Sequence, residues 1–278
     1  MQKIDAHQHF WKFDIARDSW ITDEMEVIRK DFLPPDIEQN LKENNFDGCV
    51  TVQAVQSEEE NIFQLANAAK YDFIKGIVGW VDLQKKDIDE RLAYYKQFKK
   101  IKGFRHVLQS EIQRDLMLQP YFLNGISGLQ KFNYTFDILI FPDQLRFAKQ
   151  LVAQFPNQKF VIDHLSKPEI KDKNIEQWKR DIMQFAPHEN VYCKISGYVT
   201  EADLNNWTPE DFSPFFDVII NTFGTKRIMY GSDWPVSLLG GSYNDVLQVA
   251  TAYFSSFTKT EQDNFFRMNA IDFYGLSI

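Results

Sequence analysis

Cysteine is scarce in this 278-residue chain: Cys49 and Cys193 are the two present. Each sits in an apolar run, Gly48-Cys49-Val50-Thr51-Val52 and Val191-Tyr192-Cys193-Lys194-Ile195, far from the other. That spacing excludes a disulfide framework and a C-x-x-C motif, and reads as two small buried hydrophobes in a reducing compartment. Twelve glycines and ten prolines are too few for long disordered or collagenous stretches. Basic residues are outnumbered, 31 Lys and Arg against 39 Asp and Glu, a net charge of −8. No nucleic-acid partner is expected, because a phosphate backbone demands a basic excess. No run approaches the ~20 apolar residues of a membrane span. Asp5, His7 and His9 interrupt the first ten residues where a signal peptide needs an apolar core. A cytoplasmic protein without a membrane partner is the expectation. A G-x-G-x-x-G is missing after the first β-rich run, which argues against a dinucleotide fold.

What the chain does have is a regular alternation. Short β-rich runs begin near Lys3, Asp47, Ile74, Ile101, Tyr134, Lys159, Asn190 and Lys226, with helical periodicity between them. Pro34-Pro35 opens a helix over 36–46, and residues 58–71 place Ile62, Leu65, Ala66 and Ala69 on one stripe. Thr208-Pro209 marks another helix start, with Thr as N-cap and proline in the first turn. Thr260 with Asp263 resembles a capping box before a last helix that ends near Tyr274-Gly275. Strand–helix units repeated in this way predict an α/β fold with a parallel sheet, closed as a single (β/α)₈ TIM-type barrel domain over 1–278. The longest interval, 10–33, reads as a loop insertion at the C-terminal end of the first strand, where barrels keep their chemistry.

Polar residues gather at these strand ends. In Asp5-Ala6-His7-Gln8-His9, residues two apart on a strand share a face, so His7 and His9 project together. Two adjacent imidazoles are half of a divalent-metal site, or they bind a substrate oxyanion directly. Asp163-His164 ends the sixth strand candidate and Gly231-Ser232-Asp233-Trp234-Pro235 the eighth. A purely structural reading has Asp163 capping a helix, His164 satisfied in the core and Asp233 holding a turn. Three of five histidines and a carboxylate at barrel strand ends favour a functional cluster.

The set IDAHQHFW (4–11), GFRH (103–106), IDHLSKP (162–168), KISGYVTEAD (194–203) and MYGSDWPV (229–236) resembles the amidohydrolase superfamily, in its amidohydrolase-related branch of sugar lactonases. The resemblance implies a (β/α)₈ hydrolase that opens a sugar-derived lactone, with His7, His9, His164 and Asp233 in the catalytic cluster. It also implies that these four could hold one divalent ion, zinc first, although related lactonases also work without a metal. The superfamily's metal-bridging lysine or glutamate and its further histidine have no match here: the corresponding stretches carry Arg105-His106, Phe136-Asp137 and Lys194.

Lactone hydrolysis needs an activated water, a stabiliser for the oxyanion and a proton for the departing alkoxide. Asp233 is the candidate base, with burial beside Trp234 expected to raise its pKa. Arg105 and His106 on the fourth strand, Gln53 after the second, and Trp80 and Asp82 after the third are candidate sugar contacts. Trp11, Trp20, Trp80 and Trp234 are candidate apolar walls, while Glu201 and Lys167 need only structural roles. Non-oxidative decarboxylation, hydrolysis of a different cyclic ester and sugar-acid binding are the competing readings. Glycoside hydrolysis is a further one; it would need two rim carboxylates, and no second is evident beyond Asp82 and Glu201. Composition leaves a homo-oligomer open.

Overall fold

Eight short parallel strands alternate with helices in the computed structural model, which describes residues 2–278. The strands are β1 (Lys3–Gln8), β2 (Phe46–Val52), β3 (Ile74–Gly79), β4 (Ile101–His106), β5 (Thr135–Ile138), β6 (Phe160–Ile162), β7 (Val191–Ile195) and β8 (Ile228–Tyr230). They pair in sequence order from β1 to β8. A bridge between Gln8 and Trp234 brings the last strand end back to the first. Each start falls within about two residues of the β-rich runs in the sequence, because every strand is an apolar segment bounded by turn residues.

The helices are α1 (Pro34–Glu43), α2 (Glu58–Lys70), α3 (Ile88–Tyr95), α4 (Pro120–Lys131), α5 (Leu145–Gln154), α6 (Glu176–Ile182), α7 (Pro209–Phe223), α8 (Tyr243–Phe254), α9 (Lys259–Asp263) and α10 (Asn269–Tyr274). α7 starts as the sequence predicts, with Thr208 as N-cap and Pro209 in the first turn. The cap of α9 does not: Thr258 and Glu261 form the capping box, two residues before Thr260 and Asp263. Gly275 ends α10 at φ 58°, the left-handed position glycine tolerates best. None of the described helices is long and apolar enough to cross a membrane.

α2 overturns its apolar stripe. Ile62 is 52% exposed, and Glu60, Asn61, Gln64 and Ala68 are buried instead. The polar side chains face inward because loop backbone at the strand ends needs partners. Asn61 donates to Trp80 O (2.7 Å) and accepts from Trp80 N (2.8 Å). Gln64 donates to Phe10 O (2.9 Å), and Glu60 accepts from Ala54 N (3.1 Å). This helix thus fixes the connections after β1, β2 and β3.

Residues 10–33 form the loop insertion after β1, with one short helical turn at Asp23–Ile28. Trp11 and Phe32 exchange backbone hydrogen bonds of 2.9 Å each and close its base. A separate lower core of Ile4, Ala6, Val50, Val52, Val78, Val161 and Met229 packs on Phe273, Tyr274 and Leu276, so α10 stoppers the N-terminal end of the barrel.

Candidate active site

β1 and β8 deliver the first three groups. Asp233 N donates to His7 O (2.8 Å) and His9 N to Trp234 O (2.7 Å), so the sheet's closing contacts also set Asp233 beside both histidines. A register irregularity follows Asp5, whose Oδ1 accepts from His7 N (3.2 Å) and Ser232 N (2.9 Å), tying the two strand ends together. Gly231 is required here by space, because a Cβ would lie 2.5 Å from His7 Cβ.

His164 arrives by a strained turn. His164, Leu165, Ser166 and Lys167 all have φ between 53° and 58°. Four consecutive left-handed residues cost about 1–2 kcal/mol each. The turn is held by Lys167 N donating to His164 O (2.7 Å) and Trp178 Nε1 to Leu165 O (2.8 Å). Asp233 is also left-handed, at φ 56°. Strain held at two members of one cluster is characteristic of a functional site. Gly197, at φ 61°, leaves room for His164, whose Nδ1 would lie 2.5 Å from an added Cβ.

Three imidazole nitrogens converge on one carboxylate oxygen. Nε2 of His9, His7 and His164 stand 3.3, 3.7 and 3.8 Å from Asp233 Oδ1. The opposite nitrogens are anchored. His9 Nδ1 donates to Val52 O (2.8 Å), which aims its Nε2 at Asp233. His164 Nδ1 meets Ser196 Oγ at 2.9 Å, and His7 Nδ1 lies 3.3 Å from Asp163 Oδ1 and 3.2 Å from Lys194 Nζ. His7 Nε2 stands 3.2 Å from His9 Nε2.

Beneath the histidines lies a buried charged layer. Lys194 Nζ donates to Asp137 Oδ2 (2.5 Å) and pairs with Asp163 Oδ1 (3.0 Å). Arg105 Nη1 donates to Asp163 Oδ2 (3.1 Å) and lies 3.3 Å from His7 Nε2. Tyr274 donates its hydroxyl to Asp137 Oδ2 at 2.8 Å. Two cations and two carboxylates balance, which a buried layer requires. Asp163 and Asp137 show in the sequence only as charges within or just after apolar strands. Tyr274, the partner of Asp137, Ser196, the partner of His164, and the two glycines have no local signal that ties them to a site.

Burial, with Lys194 and His164 adding, holds the His7 imidazole well below its ordinary value against the opposing pull of Asp163. Burial likewise takes His164 down to about 4. Both rings are therefore neutral at pH 7. Asp233 corrects the expectation of a raised pKa. Burial does push it up, but His164, a hydrogen bond from His9 and the charges of His7 and His9 outweigh this and hold it well below the usual carboxylate range. Imidazole nitrogens grouped around a carboxylate form a cup, the donor set that a divalent cation takes. One ligand atom each from His7, His164 and Asp233 lie within 4.8 Å of one another, so the cup suits one divalent ion, with His9 adjoining.

The remaining candidates are placed differently from a solvent-facing rim. Arg105, 4% exposed, is engaged by Asp163 and by Gln53, through its carbonyl (2.6 Å) and its Oε1 (3.1 Å). His106 Nε2 meets Glu111 Oε1 at 2.8 Å. Asp82 caps its own turn by accepting from Gln84 N (3.1 Å). Trp11 and Trp234, 2% and 3% exposed, pack edge-to-face on either side of Phe32, whereas Trp20 is 43% exposed. These two do not form open walls, because the insertion folds back over them. Lys167 and Glu201 pair with each other at 2.5 Å. Among the described residues, Gln53 Nε2, Trp80 Nε1 and His106 Nδ1 are buried without a partner.

A family model described as Amidohydrolase matches residues 4–276. The L-fucono-1,5-lactonase of Burkholderia multivorans is 33% identical over 264 residues, covering 91% of this chain and 89% of that protein. The L-rhamnono-gamma-lactonase of Scheffersomyces stipitis is 27% identical over 167 residues, 53% of this chain and 49% of that protein. A crystal structure of a Burkholderia multivorans amidohydrolase with bound zinc superposes with a TM-score of 0.96 at 32% identity, covering 100% of both chains. With the family model spanning nearly the whole barrel and all the residues around Asp233, this chain belongs to the amidohydrolase family.

Proposed function

We propose that the protein hydrolyses a sugar-derived lactone, of the L-fuconolactone or L-rhamnonolactone type, to the open-chain aldonate, with Asp233 activating the water. The convergence of three imidazole Nε2 atoms on Asp233 Oδ1 carries this reading. The similarity to L-fucono-1,5-lactonase supports the substrate class.

In this mechanism Asp233 Oδ1 takes a proton from water as the water oxygen attacks the lactone carbonyl carbon, and the carbonyl electron pair moves onto its oxygen. When that pair returns, the ring C–O bond breaks. The leaving oxygen receives the proton held by Asp233, and the new carboxylic acid ionises to the aldonate. A low carboxylate pKa keeps Asp233 in the basic form across the acid and neutral range. Arg105, beside His7 Nε2, supplies positive charge at the edge of the cup where the oxyanion develops. Its bonds to Asp163 and Gln53 keep that charge fixed, so Arg105 acts first as a positioning group. The unpartnered nitrogens of Gln53, Trp80 and His106 lie at the C-terminal ends of three successive strands and suit sugar hydroxyls. His7, His9, His164 and Asp233 would hold a zinc ion, which when bound supplies Lewis-acid polarisation of the carbonyl.

The test is acid release from a panel of aldonolactones, followed with a pH indicator. The wild type should turn over at least one, and Asp233→Asn should lower kcat by about 10²–10⁴-fold with KM little changed. No turnover on any lactone with tight equilibrium binding would identify a sugar-acid binder instead. Wild-type kcat in Asp233→Asn would remove the base from the mechanism.

A further inference from the structure

We propose that the N-terminal end of the barrel carries a second binding site, for a small multiply charged anion of the phosphate-ester or polycarboxylate class. A cavity of about 570 Å³ opens there, where the chain enters β3, β4 and β5 and α10 ends. That volume is in the range of small-molecule sites, about 300–1,000 Å³. Its wall holds Lys75, Lys96, Lys99, Lys100 and Lys102, and no aspartate or glutamate lines it. In a chain of net charge −8, five of 31 basic residues on one cavity is a pronounced local excess.

The ammonium groups are positioned but scarcely neutralised. Lys100 Nζ donates to Ile74 O (2.7 Å) and Lys102 Nζ to Gly275 O (2.8 Å), so both are fixed by neutral carbonyls and not by a carboxylate. Lys96 lies over the Tyr134 ring, 4.5 Å from its centre. Lys99 is exposed and makes no side-chain hydrogen bond or ion pair among the described residues. The nearby carboxylate is Asp72, which pairs with Lys75 at 3.2 Å and is itself 94% exposed. Lys102 is held below its ordinary value by burial and then by Lys100 and Lys96, so these charges act on one another. A bound anion would relieve that repulsion.

Lysines also cover apolar strand ends by laying their stems over them, as Lys102 does against Gly76. Stem packing accounts for single residues but not for five cations with no acidic side chain in the wall. The half-buried Phe98 can pack a carbon skeleton beside the charges. The concave shape and small-molecule volume favour a metabolite over a polymer or a membrane surface. This site lies at the opposite ends of the strands from Asp233, on the order of 20 Å away along a six-residue strand.

Pyrophosphate and citrate serve as probes in calorimetric titrations of the wild-type protein at low salt. Saturable binding is expected, weakening as salt rises. Lys96→Ala/Lys99→Ala should reduce affinity roughly tenfold or more and Lys99→Glu further, since each removes a charge-assisted contact. The stronger of the two probes distinguishes the phosphate source from the carboxylate source. Neither variant should alter lactone turnover in the absence of probe, and circular dichroism confirms folding. Absence of binding at millimolar probe, undiminished binding in both lysine variants, or competitive displacement by the lactone would each overturn the proposal. The titration does not depend on turnover, so it stands apart from the lactonase test.

Discussion

Gly197→Ala tests how the site is held together. Gly197 sits at φ 61°, and its new methyl would lie 2.5 Å from His164 Nδ1, 2.9 Å from His164 Cγ and 3.1 Å from Asp233 Oδ2. Two costs add. Placing an L-side chain in the left-handed region costs about 1–2 kcal/mol. Overpacking against a ring that is bonded to Ser196 and carried on a strained turn costs about 1–3 kcal/mol more. The expected loss in urea unfolding is therefore about 2–5 kcal/mol. Gly275→Ala is the control, since Gly275 has φ 58° but no atom within 4 Å of an added Cβ. It should show the conformational cost alone, about 1–2 kcal/mol, with unchanged kcat. Displacing His164 by a fraction of an ångström should lower kcat/KM of Gly197→Ala by about 10²-fold. Equal stability losses in both variants, with wild-type activity in Gly197→Ala, would refute the packing assignment and the need for His164 at its observed position.

Lys194→Met leaves Asp137 and Asp163 buried without their ammonium, and should cost about 3–5 kcal/mol in urea unfolding. Adding Asp137→Asn should restore part of that loss, and strict additivity in the double-mutant cycle would contradict a shared network. Chelator treatment should lower lactone hydrolysis only in part, because Arg105 stays beside the cup and an ester is already activated; complete, zinc-reversible loss would show an obligatory ion. Stability in the metal-free protein should change little between about pH 6 and 4, because buried groups oppose one another there. His7 and His164 have lowered values and contribute stability that is lost as pH falls below 6.5, for His164 down through about 4. Asp5, raised to about 6 by burial, and Asp137, also raised, contribute stability that is lost as pH rises from 3.8 through about 6. Below about pH 4 the carboxyls of Asp163 and Asp233 protonate in the unfolded chain while the fold keeps them ionised, so stability should fall; a steep slope in urea midpoints between pH 6 and 4 would refute the balance.

Local sequence was most informative where a residue's own strand or cap set the outcome. The apolar runs, Thr208-Pro209 and the spacing of His7 and His9 were legible because strand period and cap chemistry act over a few residues. The α2 stripe misled, since Asn61 and Gln64 are buried for the sake of loop carbonyls that lie far away in sequence. The Asp233 pKa misled for a related reason: burial is visible beside Trp234, but the three imidazoles that outweigh it come from β1 and the turn after β6.

From its sequence alone the protein was an eight-unit barrel carrying His7, His9, His164 and Asp233 at strand ends, because periodicity and motif order are properties of the linear chain. Tertiary structure decided that Arg105 turns inward to Asp163 and Gln53, that Lys194 and Asp137 form a buried pair under His7, and that five lysines share a cavity at the other end. Electrostatic partners are set by distances of a few ångströms between strands many residues apart, and closing the barrel is the step that creates those distances.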